Sequence, residues 1–185
     1  MDSDPIHEIR KLLRLRMNGE VSANMRARGI NYKINFGLDA MSIRDLAKRY
    51  NPDRSLAERL WEESSREGKI LATLLYPRPE FTSNKADEWV DGCFTVELGE
   101  QLCFNLLQHL PFASEKSLEW IKDNDENKKS FGYLLLLRLI LGKKKLPDLS
   151  FVKSMAEKDR NSESSQLALH AIRFLENIDN NDVKL

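Results

Sequence analysis

The chain has only two cysteines, three histidines and no excess charge of either sign, and each shortage removes a class of function. Cys93 and Cys103 are ten residues apart, with no second pair and no histidine at ligand spacing, so neither a zinc site nor a disulfide framework is indicated. A reducing interior is the expected setting. The longest apolar run, Tyr133 to Leu137, stops at Arg138, far short of the roughly 20 residues that span a bilayer. Asp2 and Asp4 stand where a signal peptide carries positive charge. A soluble, cytoplasmic protein with no membrane association is therefore expected. Gly92, Gly99 and Gly132 are too scattered to cradle a phosphate, no nucleotide-binding motif occurs, and no cofactor or metal is called for. Period-2 alternation bounded by turn residues is almost absent, which argues against a sheet.

What is present is a chain of 185 residues, 41% hydrophobic and 31% charged, which is long enough to fold as one domain by hydrophobic burial alone. The 29 basic and 29 acidic side chains are unevenly spread. Residues 1–54 hold 11 basic against 7 acidic groups and 128–185 hold the same, whereas 79–127 hold 3 against 11. A protein that tracks phosphates needs positive surface where the strand lies, so the two ends suit a nucleic acid and the middle does not.

Apolar residues recur at three and four along most of the sequence, which predicts an all-α chain. Pro5 suits the first turn of a helix striped by Ile6, Ile9, Leu12, Leu13 and Met17, with Arg10, Lys11, Arg14 and Arg16 mainly on other faces. A short helical turn around Met25 reaches Gly29, and 35–37 reads as a loop. Ser42 with Asp45, and Ser55 with Glu58, resemble capping pairs for the next two helices. Thr95 is a further cap, Gly142 is the expected stop of a long apolar helix, and two final helices start near Pro147 and Ser162. Trp61, Trp89 and Trp120 lie 28 and 31 residues apart among short amphipathic helices. That cadence suggests helix pairs stacked into one curved α-solenoid over 1–185, with a compact bundle as the alternative. The tryptophans are core anchors first and nucleotide-stacking groups second.

Four linked segments carry a resemblance. Arg28-Gly29-Ile30 through Asn35-Phe36-Gly37-Leu38, Ser42 to Lys48, Leu56 to Trp61 and Arg66 to Ala72 occur in the order and spacing of the DNA alkylation repair family. The similarity continues through Glu97–Gln101 and Trp120-Ile121. It implies HEAT-like helical repeats whose basic concave face holds duplex DNA, in a monomer, and an N-glycosylase that removes alkylated, cationic purines. The carboxylate of such an enzyme stabilises oxocarbenium-like charge and holds a water. The family's Trp-Asp-x-x-Asp pattern falls on Val96-Glu97-Leu98-Gly99-Glu100, so Val96 replaces the aromatic and Glu100 the acid, with Glu97 beside it. A second family aromatic falls near Ala171, and a phosphate-gripping Arg near Phe131 or Gly132.

The residues alone also allow Glu97 and Glu100 to be solvated acids at a helix start. Arg26, Arg28, Lys33, Arg44 and Lys48 are candidate phosphate contacts, because they cluster where the resemblance is strongest and the segment is basic. Lys143, Lys144 and Lys145 can touch phosphate, cap carbonyls or simply face solvent. His109 reads as an end-of-helix imidazole, His170 as a packing or surface residue, and His7 carries no signal. The rival to a glycosylase is a non-catalytic scaffold that binds a protein or an unusual DNA structure.

Overall fold

The structure is a computed structural model that describes residues 4–144, 146 and 149–180. Among the described residues there are eleven α-helices: Pro5–Leu15 (α1), Gly19–Ala27 (α2), Ala40–Ala47 (α3), Arg54–Trp61 (α4), Arg66–Leu75 (α5), Ser83–Asp91 (α6), Val96–Asn105 (α7), Ala113–Ile121 (α8), Glu126–Leu141 (α9), Ser150–Asp159 (α10) and Ser165–Asn180 (α11). Single 3-10 turns lie at Arg78–Glu80 and Leu107–His109. Among the described residues the β content is one isolated parallel bridge, Ile34 with Ser65. The all-α expectation holds. The chain divides into two compact units, Met1–Phe81 and Thr82–Leu185.

In the N-terminal unit, α1 buries Ile6, Ile9 and Leu13 as the stripe predicts, but it ends at Leu15, so Met17 lies beyond it and is 60% exposed. The segment around Met25 is a nine-residue helix rather than a short turn, started by the Asn18 side chain, which accepts from the Val21 N–H. Two of the expected caps move. The Asp39 carboxylate accepts from the Ser42 N–H at 2.7 Å and starts α3, and Asp53 accepts from the Leu56 N–H at 2.6 Å and starts α4. Asp at the N-cap meets the free N–H groups of the first turn with a formal charge, which is a stronger contact than a Ser hydroxyl makes. The hydrogen bonds from Ser42 hold the Asp39 carboxyl below the usual carboxylate range.

The 35–37 segment is a loop, as its composition predicts, and with Leu38 it is held by the start of α5. Phe36 and Leu38 donate their N–H groups to the two Glu67 carboxylate oxygens at 3.0 and 3.2 Å. Arg66 donates to the Leu38 carbonyl at 2.8 Å and to Glu67 at 3.0 Å. Both charged residues are buried, Arg66 to 3% exposure and Glu67 to 0%. Gly37 sits between Phe36 and Leu38 at φ +74, where a Cβ would stand 2.2 Å from the Asn18 carbonyl oxygen, so only glycine lets the loop cross the start of α2.

In the C-terminal unit, α9 is the central helix. Ten of its sixteen residues are buried, so it lacks the single apolar stripe of a surface helix. It packs against α8 and α11, and α11 packs against α10. Tyr133, Leu136, Val152 and Phe174 belong to the resulting core. Helices α8 and α9 approach closely at Gly132, where a Cβ would lie 2.6 Å from Ile121 Cγ1 and 2.8 Å from the Ser117 carbonyl oxygen. Neither neighbour is the flexible end of a long side chain. Gly132→Ala is expected to destabilise the protein by about 2 kcal/mol through forced separation of the two helices, measured by urea unfolding.

The long helix ends at Leu141 with Gly142 as its cap, as expected, but the left-handed turn falls one residue later. Gly142 has φ −78, and Lys143 takes the left-handed conformation at φ 51. The Lys143 and Lys144 N–H groups close on the Ile140 and Leu139 carbonyls at 2.9 and 3.0 Å. The final helices begin later than expected, at Ser150 and Ser165.

Candidate functional site

Trp61, Trp89 and Trp120 are buried to between 1 and 5% exposure, so they are core anchors and offer no ring to a nucleotide. Trp120 shows how the burial is made tolerable. Its indole N–H donates to Asp87 at 2.7 Å, and Lys116, itself buried, reaches the other Asp87 oxygen at 2.7 Å.

The acidic residues of the site stand on α7. Thr95 accepts from the Leu98 N–H at 3.2 Å and sets the start of the helix. Leu98, Leu102 and Cys103 face the core, and burial pushes the Cys103 thiol well above its ordinary pKa. Val96, the first residue of α7, is 36% exposed. Val96, Glu100 and Phe104 follow one another at four-residue intervals, which stacks them on one side of the helix. Glu97 is half-buried one turn before Glu100.

Glu100 has a partner that its sequence neighbourhood does not reveal. Arg173 of α11 donates to its Oε1 at 3.3 Å, with the two side chains 44 and 46% exposed. The Arg138 guanidinium carbon of α9 lies 4.4 Å from the centroid of the Phe104 ring. Arg138 Nε is buried and without a hydrogen-bond partner. The site therefore holds a carboxylate clasped by one guanidinium and, one helical turn on, a phenyl ring covered by another.

The remaining family positions lie in the core. Phe131 is 1% exposed with its ring packed on Gly99, Gly132 forms the α8 contact, and Ala171 is 0% exposed. None of them reaches the surface. His170, on the same helix as Arg173, is also a core residue, 2.7 Å through Nδ1 from the Ser130 hydroxyl. Burial and the nearby Arg173 charge lower its pKa from 6.5 to about 4.

The N-terminal unit carries most of the candidate cations. Arg26 and Arg28 are exposed at the end of α2 and Lys33 in the loop after it, and among the described residues none of the three has an ion-pair partner. Lys48 is exposed but pairs with Asp45 at 2.7 Å, and Arg44 is half-buried on α3. Lys143 and Lys144 are exposed on the C-terminal unit, with the helix end satisfied by their backbone, so their ammonium groups are left to solvent. Lys145 lies outside the described residues. The structure adds a cleft of about 400 Å³ beside α1, lined by His7, Arg10, Lys11, Arg14 and Leu15. Arg10 there also pairs with Glu63 at 2.7 Å.

Arg138, Arg173 and Phe104 do not stand out in the sequence. Arg138 has one visible signal, as the charge that interrupts an apolar run. Among the described residues no group of three or more His, Cys, Asp or Glu side chains is placed to hold a metal ion, and no helix is long and apolar enough to cross a membrane.

A solved structure with the same fold defines the class. It superimposes with a TM-score of 0.80 over 93% of this chain and 74% of its own, at 18% sequence identity. It is described as representing a new family of proteins related to the HEAT-like repeat DNA glycosylases with affinity for branched DNA structures. The fold is thus of the HEAT-like repeat class. The chain belongs to the DNA alkylation repair enzyme family, whose profile matches residues 9–167. No curated protein sequence matches it.

Proposed function

We propose that this protein binds DNA through phosphate contacts and holds branched or locally unpaired structures, without excising bases. The observation that carries this reading is the Glu100–Arg173 clasp beside Val96. An excising carboxylate stabilises positive charge on the departing sugar, worth about 4 kcal/mol for charges about 4 Å apart at an effective dielectric of about 20. A guanidinium one ion pair further away offsets about half of that. Val96 supplies no aromatic surface to assist. Family membership and the DNA affinity stated for the relative of the same fold support the DNA-binding half of the reading.

The phosphate contacts are assigned to Arg26, Arg28 and Lys33, with Arg44 and Lys48 beside them in sequence, and to Lys143 and Lys144. DNA affinity should therefore fall steeply with salt. Replacing Arg26, Arg28 and Lys33 together by alanine should reduce the log–log salt slope by about 3, close to one for each phosphate that the protein no longer neutralises. Fluorescence anisotropy at four salt concentrations measures this, and salt-independent binding would remove the phosphate assignment. On duplex DNA carrying alkylated purines, base release should equal the spontaneous rate for both the wild type and Glu100→Gln. Release above that rate that disappears in Glu100→Gln would restore Glu100 as the carboxylate of a glycosylase.

A further inference from the structure

We infer that Phe104, backed by Arg138, is a stacking platform for a single unpaired nucleobase; this rests on the DNA-binding reading above. Phe104 is 38% exposed, on the same side of α7 as Glu100 and one turn beyond it. Arg138 covers a face of the ring at 4.4 Å, and Gln108 donates to the Phe104 carbonyl, so both the side chain and its backbone have fixed neighbours. A large aromatic left this exposed forgoes much of the free energy that its burial would contribute. The adjacent guanidinium is itself incompletely satisfied, with Nε buried and unpartnered.

The surrounding charge selects the kind of ligand. Residues 79–127 hold 11 acidic against 3 basic groups, which disfavours a continuous run of phosphates laid along α7. A nucleobase is neutral and presents a π-face to the ring, while Arg138 provides a local cation beside that one nucleotide. A paired base is stacked on both sides within its duplex and cannot reach the ring, whereas an unpaired base at a branch or bulge can. The aromatic surface absent at Val96 is thus supplied four residues beyond Glu100 rather than four before it, and it serves binding rather than cleavage.

The test compares a matched duplex with the same duplex carrying one bulged 2-aminopurine, by anisotropy for affinity and by 2-aminopurine fluorescence for stacking. Wild-type protein should bind the bulged duplex about tenfold more tightly and quench its fluorescence. Phe104→Leu keeps the apolar bulk without the aromatic face, so it should lose both the preference and the quenching while its affinity for matched duplex is unchanged. Phe104→Trp should restore both. Equal affinity of the wild type for the two DNAs, or a preference retained in Phe104→Leu, would overturn the platform and leave DNA binding standing. Failure to bind either DNA would instead overturn the DNA-binding reading, and the platform with it.

Discussion

Glu67→Gln should destabilise the protein by about 3–5 kcal/mol in urea unfolding, the largest effect expected of a single conservative change in this chain. The fully buried carboxylate accepts from Phe36, Leu38 and Arg66 at once. An amide in its place offers one acceptor oxygen and turns an N–H₂ toward donors that need acceptors. It also removes the carboxylate charge that lies 3.0 Å from the buried Arg66 guanidinium. Exchanging the pair for apolar residues, Arg66→Met with Glu67→Leu, should not recover the loss. The Phe36 and Leu38 N–H groups and the Leu38 carbonyl would remain buried without these partners. A double substitution as stable as the wild type would show that the 35–38 loop does not depend on this network.

The second large effect is acid destabilisation through His170. Its imidazole titrates near pH 4 in the folded protein against an ordinary value of 6.5. The unfolded chain therefore takes the proton first as pH falls, and stability is lost from pH 6.5 down to about 4. At about 1.36 kcal/mol per pH unit, that interval corresponds to roughly 3 kcal/mol from this one group. His170→Gln removes the titration while retaining a side chain able to hydrogen-bond to Ser130. Its stability-against-pH curve should be flatter than the wild type's by that amount between pH 6.5 and about 4. Parallel curves for the two proteins would show that His170 does not govern the transition. Because the comparison is a difference, the carboxylates that titrate in the same range cancel.

The site was only partly legible in the sequence, for reasons that differ from residue to residue. Glu100 and Val96 are placed by their offset from the Thr95 cap and from the segments that match the family, because local spacing decides which residues share a helix face. The Arg173 partner is 73 residues away and the Arg138 partner of Phe104 is 34 away. No periodicity connects such pairs, since it is the packing of α9 against both α7 and α11 that brings their helices together. The misplaced caps have a local cause. Ser42 and Ser55 satisfy the spacing of a capping pair, yet Asp39 and Asp53 lie three and two residues earlier and offer charge-assisted bonds to the same helix starts.

By itself the sequence determined the all-α class, most of the helices, the buried face of α1, and the family, because these depend on residue type and on spacings of three and four. Tertiary structure alone decided that Arg66 and Glu67 are buried as a pair, that Lys143 rather than Gly142 takes the left-handed turn, and that Glu100 and Phe104 each face a guanidinium. The physical reason is that burial and ion pairing arise between segments distant in the chain, and the free energy of each charged group depends on what the packed helices bring to it.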